Sequence, residues 1–339
     1  MSQALLEAAA VSKRFPVGSG VRRGEIAALD RVTLDVRVGE TLALVGESGS
    51  GKTTLGRCLL HLTVPTSGQV LFEGQDLASF SRRELRRFRR LVQPVFQNPY
   101  SSLDPRWTAK RTIGEALDAF DLGTPEDRRR RVKELLVAVG LTERQGRSRP
   151  HELSGGQRQR VAIAAALAPE PELIVADEPV SALDVLVQAQ ILDLIAELQS
   201  RLGVTLVFIT HDLGVVAHLA DRVAVMYLGR IVEVGSCADV LERPSHPYTQ
   251  ALVASVPDLD PGAPKPPALA GEIPSPIDPP AGCHFHTRCP FVEAHCRTEQ
   301  PPLVPLGSAD RLVACHVRRR EAASPATTRT DKEGMYADG

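Results

Sequence analysis

The chain has 339 residues, 43% of them hydrophobic, and a formal net charge of −1 at pH 7. This length predicts a large domain with a smaller one, and the apolar content predicts an ordinary globular core. The near-neutral charge excludes a general attraction to nucleic acid or anionic lipid, and no apolar run approaches the ~18 residues that cross a bilayer.

Three strand patterns occur in the first 75 residues. Polar and apolar positions alternate in Arg31–Val38 and again in Gly68–Gly74, which predicts an antiparallel layer. Thr41–Val45 is almost continuously apolar, as in a buried parallel strand. Phe15 falls in what we predict to be an exposed Pro- and Gly-rich loop, where an aromatic ring is unusual.

The run Thr41–Val45 leads into a loop that matches the phosphate-binding pattern G-x-x-x-x-G-K-[ST] in full. A helix-forming stretch follows from Lys52, so the strand–loop–helix context of this pattern is complete. Glycines let backbone N–H groups turn toward phosphates, Lys52 would reach the β- and γ-phosphates, and Thr53 would ligate Mg²⁺. The loop consists of Gly46, Glu47, Ser48, Gly49, Ser50, Gly51, Lys52, Thr53 and Thr54.

Residues 98–157 are predicted to be mostly helical, with amphipathic runs at Thr112–Phe120 and Asp127–Val139. Two arginine clusters, within residues 82–90 and 128–131, have helical spacing and acids nearby. A nucleic-acid site would need a basic domain and aromatic residues between the cations. We therefore expect solvated helix faces and no nucleic-acid partner.

A second motif, Leu153–Gln157, precedes a predicted helix at Gln157–Leu167. Ser154, Gly155 and Gly156 offer a hydroxyl and free N–H groups at the positive end of that helix. This is a second anion site, about a hundred residues after the first. Two such elements are hard to explain with one nucleotide in a monomer.

Further buried strands alternate with helices, which indicates a parallel α/β sheet. They are predicted at Leu173–Ala176, Val204–Ile209 and Val223–Tyr227. Asp177 and Glu178 follow the first of them, and His211 follows the second. Because ligands bind beyond the carboxyl ends of parallel strands, these side chains are expected to face the phosphates. One acid can hold Mg²⁺ while the other activates water.

Together the motifs resemble the nucleotide-binding subunit of an ABC ATPase, and most closely those of bacterial oligopeptide and dipeptide importers. The general resemblance rests on the phosphate loop (Walker A), Leu153–Gln157, Ala176–Pro179, Ser181–Asp184 and Thr210–Asp212. The importer features are Gly46–Gly49, Phe96–Leu103 and Arg243–Thr249. The resemblance covers roughly residues 5 to 318.

The resemblance implies an α/β fold: a P-loop NTPase (RecA-like) core with an antiparallel β subdomain, a helical subdomain and a small C-terminal domain. We predict a nucleotide-binding domain at residues 1–257, with its helical subdomain at about 98–157, and an importer-type extension at 258–319. Prolines between residues 261 and 280 mark the boundary because they cannot continue a helix or a central strand. Residues 320–339 are polar without periodicity and are predicted to be disordered.

The resemblance also implies catalytic roles. Asp177 would be the acid on the metal side, Glu178 the general base, and His211 the switch histidine that hydrogen-bonds the γ-phosphate and the attacking water. Gln97 would contact Mg²⁺ or that water and transmit the nucleotide state to membrane subunits.

Two further sites complete the implied ATP-binding set. Phe15 would stack on adenine. Ser154, Gly155, Gly156 and Gln157 of one subunit would close over ATP held by the other, and Ser181–Asp184 resembles the loop that links the two sites.

The implied protein is a peripheral ATPase subunit on the cytoplasmic face of the cell membrane, with ATP and Mg²⁺ as cofactors. Its expected partners are a second ATPase (usually a paralogue), two transmembrane permease subunits and an extracytoplasmic substrate-binding protein. Peptides are the expected cargo, with nickel, glutathione and short sugars as alternatives. A non-transport ABC ATPase is a further alternative, but the short spacing between the two motifs leaves no room for a coiled-coil insert.

Four of the six cysteines lie within 33 residues, in the spacing C-x5-C-x6-C-x18-C. They are Cys283, Cys289, Cys296 and Cys315. In a cytosolic protein such clustering favours a metal over disulfides, and C-x2-C pairs of structural zinc are missing. Four thiolates would suit a [4Fe–4S] cluster, and Gly282–Pro290 resembles the importer extension in which such clusters occur. Zinc shared with nearby histidines and plain packed thiols are the alternatives.

Overall fold

The structure is a computed structural model that describes residues 4–17, 24–256 and 271–318. The described strands are β1 (Ala4–Val17), β2 (Gly24–Arg37), β3 (Thr41–Val45), β4 (Ser67–Phe72), β5 (Gln75–Asp76), β6 (Val92–Val95), β7 (Leu173–Asp177), β8 (Thr205–Thr210), β9 (Arg222–Tyr227), β10 (Arg230–Ser236), β11 (Val304–Leu306) and β12 (Ser308–Val313). The described helices are α1 (Lys52–Leu59), α2 (Arg82–Leu91), α3 (Pro99–Ser102), α4 (Ala109–Ala119), α5 (Pro125–Ala138), α6 (Glu143–Arg147), α7 (Gly155–Leu167), α8 (Val185–Leu202), α9 (Leu213–Leu219), α10 (Cys237–Leu241) and α11 (Pro247–Ala254). The predicted domain boundary near residue 258 and the predicted disordered tail lie outside the described residues.

The central sheet is built from the buried apolar runs of the sequence. Its strand order is β11-β12-β10-β9-β3-β8-β7-β6, and the strands from β9 to β6 are parallel. Leu42 and Leu44 of β3 face one hydrophobic cluster, whereas Ala43 and Val45 face another. Both faces are therefore covered, as a parallel sheet requires. The strands predicted around residues 41–45, 173–176, 204–209 and 223–227 are confirmed as β3, β7, β8 and β9.

A second, antiparallel sheet has the order β2-β1-β4-β5. Helix α1 contacts both sheets, and its buried Leu55 and Leu59 belong to the cluster that joins them. Phe72 of β4 meets Phe88 of α2 edge to face, with ring centroids 5.2 Å apart. The antiparallel layer predicted beside the phosphate loop is confirmed.

The helical stretch predicted between residues 98 and 157 is confirmed by α3 to α6. Helix α5 begins with Thr124 and Asp127 in a reciprocal capping box and with Pro125 at its first position. Helix α4 packs on both α5 and α7. Both arginine clusters pair with acids, as in Arg87–Glu73 and Arg128–Asp118. Most of the arginines in residues 82–90 are exposed, as predicted, whereas in the second cluster Arg128 and Arg131 are half-buried.

The C-terminal segment joins the central sheet, a pairing that no sequence pattern predicted. Strand β12 pairs antiparallel with β10, with Glu233 opposite Val313. Phe285 is 2% exposed, and its ring contacts those of Tyr227 and Tyr248, with centroids 5.3 and 5.5 Å away. Backbone pairing and aromatic packing thus attach this segment to the ATPase sheet.

A half-buried ion-pair network connects the two sheets. The Arg222 guanidinium at the start of β9 donates to Glu40 at 2.8 Å and to Asp35 of β2 at 3.1 Å. The side chains of Arg222 and Glu40 are 9% and 10% exposed. Burial by itself would raise the pKa of Asp35, but Arg222 and Arg37 outweigh it and hold that pKa below its usual value. The network is therefore stabilising only while its acids are ionised.

We expect Arg222→Met to lower the free energy of unfolding by about 3 kcal/mol, because it leaves the largely buried Glu40 without its cationic partner. Urea denaturation at pH 7 measures this loss. Since the pKa of Asp35 is lowered, its share of the stability is present at neutral pH and disappears as the pH falls below about 4. The difference between wild type and variant should shrink there.

Arg201→Met is the matched control, because Arg201 is half exposed and pairs with Glu197 on the surface of α8. It should cost less than about 1 kcal/mol. Equal stability of the two variants would show that the network does not connect the sheets energetically.

Candidate active site

The loop between β3 and α1 has a backbone that only glycine adopts readily. Gly46, Gly49 and Gly51 have φ angles of 149°, 79° and 106°. A Cβ on Gly46 would lie 2.1 Å from the carbonyl oxygen of Met226, and one on Gly51 would lie 2.4 Å from that of Ala28. The loop is thus packed directly against the backbones of β9 and β2.

Lys52 opens α1 and is 5% exposed. Its ammonium donates to the carbonyl oxygens of Gly46 at 2.7 Å and Glu47 at 2.9 Å. Burial lowers the pKa of Lys52, and the charges of Glu178 and Asp177 oppose that shift. A cation is therefore enclosed by the loop at a helix N-terminus, where anions bind.

Thr53 and Asp177 lie side by side although 124 positions separate them in the chain. The Thr53 hydroxyl donates to Asp177 Oδ1 at 3.0 Å. Burial raises the pKa of Asp177, and the hydrogen bond from Thr53 partly reverses this. One carboxylate beside a hydroxyl is a donor set that suits Mg²⁺, which keeps several waters and takes its other ligands from phosphates.

Glu178 is held from two sides. Gln97 donates to its Oε2 at 3.0 Å, and His211 Nδ1 lies 3.1 Å from its Oε1. The backbone of Glu178 has a φ of 45°, a left-handed conformation that is uncommon for a residue with a side chain. Its N–H donates to Ile209 of β8 at 2.9 Å. The Glu178 carboxylate is therefore oriented by Gln97, which follows β6, and by His211, which follows β8.

These side chains emerge from the carboxyl ends of four parallel strands, of which the sequence predicted three, β3, β7 and β8. Lys52 and Thr53 follow β3, Gln97 follows β6, Asp177 and Glu178 end β7, and His211 follows β8. The predicted convergence of both acids and the histidine at one edge of the sheet is confirmed.

The second motif is not part of this network. Ser154 caps α7, its hydroxyl accepting from the N–H of Gln157 at 3.3 Å, and Gln157 Oε1 accepts from the N–H of Ser154 at 3.0 Å. The capping box thus uses the Ser154 hydroxyl as an acceptor, which the sequence analysis did not predict. Among the described residues, no hydrogen bond joins this motif to the six side chains above. Gly155 packs against Leu183 instead.

Phe15 lies in β1 opposite Ile26, so the predicted loop position is wrong. The two strands of this hairpin continue past the Pro-containing segment because they pair with each other. The ring is 39% exposed, and the ammonium of Lys13 lies 5.2 Å from its centroid. An exposed aromatic surface is therefore present at this position.

Two contacts to the phosphate loop were missed by sequence reasoning. Tyr248 Oη accepts from the N–H of Glu47 at 2.8 Å, and Arg288 forms a two-pronged ion pair with the Glu47 carboxylate at 2.8 and 3.1 Å. Tyr248 belongs to the segment Arg243–Thr249 that carried the importer resemblance. No sequence pattern pointed to Arg288, because 241 positions separate it from Glu47.

The four clustered cysteines line one small cavity, together with His246, His286 and His316. All six cysteines of the chain are free thiols. Burial raises the pKa of Cys283 to about 12, and the neighbouring thiols add to the shift. Within the described parts of the chain, no group of three or more His, Cys, Asp or Glu side chains is arranged to hold a metal ion. The iron–sulfur and zinc predictions therefore gain no support from the described residues.

Comparison with known proteins identifies the family. A probable peptide ABC transporter ATP-binding protein, y4tS of Sinorhizobium fredii, is 50% identical over 96% of this chain and 93% of its own length. The oligopeptide transport ATP-binding protein AppF of Bacillus subtilis is 47% identical over 93% of this chain and 98% of its own. This chain belongs to the ABC transporter ATP-binding proteins.

Family models divide this ABC protein into two regions. The ABC transporter model matches residues 29–181, and the model described as "Oligopeptide/dipeptide transporter, C-terminal region" matches residues 232–296. A dimeric structure of the ATP-binding cassette MJ0796, in a post-hydrolysis state with ADP and Pi, is 34% identical with a TM-score of 0.62, over 68% of this chain and 98% of its own. CbiO1 of Clostridium perfringens, part of the transporter complex cbiONQ, is 30% identical with a TM-score of 0.61, over 71% and 92%.

These comparisons confirm the predicted fold class and establish ATP hydrolysis as the activity of this ABC protein. In the described parts of the chain, every helix is too short or too polar to cross a bilayer.

We expect Gly46→Ala to displace the phosphate loop, because its methyl group would collide with the backbone of β9. The variant should lose most of its ATP affinity, as measured by isothermal titration calorimetry, and should unfold at a lower temperature. Gly74→Ala is the control: its φ is also positive, at 78°, but nothing lies within 4 Å of the added carbon. That change should cost about 1 kcal/mol of backbone strain and leave ATP affinity unchanged. Similar losses in both variants would contradict this account of the loop.

Proposed function

We propose that this chain is the ATP-hydrolysing subunit of an importer for oligopeptides or dipeptides. One observation carries the proposal: a converged nucleotide site and a C-terminal region of the oligopeptide/dipeptide transporter type occur in the same chain. Relatives named for peptide transport match along nearly its whole length. We also propose that residues 1–257 form the nucleotide-binding domain and that residues 258–319 form the extension.

The phosphate loop would bind the phosphates of ATP. Its backbone N–H groups and the N-terminus of α1 provide partial positive charge, and Lys52 exchanges its carbonyl partners for phosphate oxygens. Thr53, Asp177 and Gln97 would hold Mg²⁺, which neutralises phosphate charge when it is bound. The ring of Phe15 would stack on adenine.

Hydrolysis would use Glu178 as the general base. Its carboxylate accepts a proton from the water that attacks the γ-phosphorus, and the bond from the γ-phosphorus to the bridging oxygen breaks to release ADP and phosphate. His211 and Gln97 already contact both oxygens of Glu178, so they orient it and the water. The strained backbone of Glu178 keeps the carboxylate at this position.

The second motif would complete the ATP site of a second ATPase. Ser154 is exposed, and Gly155 and Gly156 lie in the first turn of α7, whose N–H groups favour an anion. Because no hydrogen bond within the described residues connects this motif to the chain's own network, an ATP held by another subunit is its natural ligand. The solved MJ0796 cassette is itself dimeric.

The partners of the complete importer would be that second ATPase, a paralogue of this chain, together with two transmembrane permease subunits and an extracytoplasmic substrate-binding protein. The chain would act at the cytoplasmic face of the membrane, where ATP is available. The proposal needs ATP and Mg²⁺, and no step of it involves the four clustered cysteines.

We expect Glu178→Gln to bind ATP but to hydrolyse it about 10²- to 10⁴-fold more slowly, because the base is removed and the phosphate loop stays intact. Phosphate release measures hydrolysis, and size-exclusion chromatography with ATP should show a trapped dimer. Cells that lack the gene should regain uptake of labelled peptides with the wild-type chain and not with this variant.

Glu197→Gln, an exposed acid of α8, is the control and should behave as wild type. Turnover of Glu178→Gln near the wild-type rate would contradict the assignment of the base. Restored uptake of nickel, glutathione or short sugars, without peptide uptake, would contradict the cargo.

We expect Ser154→Arg to bind ATP normally as an isolated chain but to abolish hydrolysis at the site whose phosphate loop belongs to the partner. An exposed serine of α8, Ser200, provides the control as Ser200→Arg. The test is to measure the rate of ATP hydrolysis per chain at several protein concentrations, with and without the added partner. A rate per chain that depends on neither would rule out a shared site.

A further inference from the structure

The carbonyl, the N–H and the carboxylate of Glu47 in the phosphate loop each have a hydrogen-bond partner. The Lys52 ammonium contacts its carbonyl oxygen at 2.9 Å, and Tyr248 of α11 accepts from its N–H at 2.8 Å. Arg288 donates to both carboxylate oxygens, at 2.8 and 3.1 Å. Only the first of these partners belongs to the loop. The conformation of residue 47 therefore depends on the C-terminal third of the chain.

Arg288 is fixed in place by its surroundings. Its side chain is 3% exposed, and the guanidinium lies 5.9 Å from the ring centroid of Tyr227 and 6.0 Å from that of Phe285. It also donates to the hydroxyl of Tyr227 at 3.4 Å. The two-pronged pair with the carboxylate uses the fork shape of the guanidinium, so lysine is not an equivalent residue here.

The pair has an electrostatic consequence for the nucleotide. Glu47 places a negative charge in a loop that must accept the phosphates of ATP, and like charges at close range repel strongly where water is excluded. Arg288 neutralises that charge and turns the carboxylate toward the extension. Without Arg288, the carboxylate would be unpaired within the loop itself.

We propose that Arg288 is a positioning residue for ATP: acting through Glu47, it holds the phosphate loop in its binding conformation and cancels the loop's negative charge. The C-terminal extension thereby sets the ATP affinity of the nucleotide-binding domain. This inference rests on the proposed role of the phosphate loop in binding ATP.

The test compares variants of the full-length chain by calorimetric ATP affinity and by the KM and kcat of hydrolysis. Arg288→Met should raise the Kd for ATP at least about fivefold, with a parallel rise in KM and a kcat close to wild type, because the groups around Glu178 are untouched. The Kd for ATP of Arg288→Lys should lie between that of the wild type and that of Arg288→Met. Thermal unfolding and circular dichroism show what fraction of each variant is folded, and each ATP affinity is calculated for that fraction.

A double variant separates the electrostatic role from a merely structural one. Glu47→Gln combined with Arg288→Met removes both charges and should regain most of the lost affinity, although it has lost more contacts than the single variant. Arg311→Met is the matched control, because Arg311 is 17% exposed in the same extension and pairs with Glu233 and Asp239 rather than the loop. It should leave the ATP affinity unchanged.

Lys52→Ala distinguishes failure of this inference from failure of the proposed function. If Lys52→Ala weakens ATP binding while Arg288→Met binds like wild type, the inference is overturned and the phosphate-loop assignment stands. If Lys52→Ala has no effect, the assignment itself is wrong. Equal losses in Arg288→Met and Arg311→Met, or a double variant weaker than Arg288→Met, would show a structural role only.

Discussion

Four parallel strands, β3, β6, β7 and β8, end at one edge of the central sheet, and the polar contacts of the ATP site arise from that common end. The constraint is geometric: residues after each strand meet because the strands are paired in register. Asp177 reaches Thr53, and Glu178 reaches both Gln97 and His211, without long loops to bring them together. The sheet therefore positions the side chains to which we assign the catalytic roles.

Two charged side chains of the proposed nucleotide site, Lys52 and Asp177, would be stabilised by a bound nucleotide and its metal. Burial lowers the pKa of Lys52 and raises that of Asp177, so the protein alone disfavours both charged forms. Phosphate would favour the ammonium, and Mg²⁺ would favour the carboxylate. Binding of the metal–nucleotide pair would thus offset two desolvation costs at once, that of the buried Lys52 and that of the half-buried Asp177.

The C-terminal segment is part of the same structure rather than an appendage. It adds β12 to the central sheet, inserts Phe285 against Tyr227 and Tyr248, and sends Arg288 to the phosphate loop. Its four clustered thiols surround a cavity next to this aromatic packing.

From the sequence alone came the fold class, four of the five parallel strands (β3, β7, β8 and β9) and the meeting of both acids and the histidine at one end of the sheet. Local patterns carry that information: continuous apolar runs specify buried strands, glycines specify the loop, and acids directly after a strand lie at the ligand edge. Only the tertiary structure decided what joins distant segments. The capping box that occupies Ser154, the strand position of Phe15 and the thiol packing depend on neighbours that spacing does not reveal. The pairing of Arg288 with Glu47 is the strongest case, because an ion pair across 241 positions leaves no local periodicity and exists only once β10, α11 and the extension have packed together.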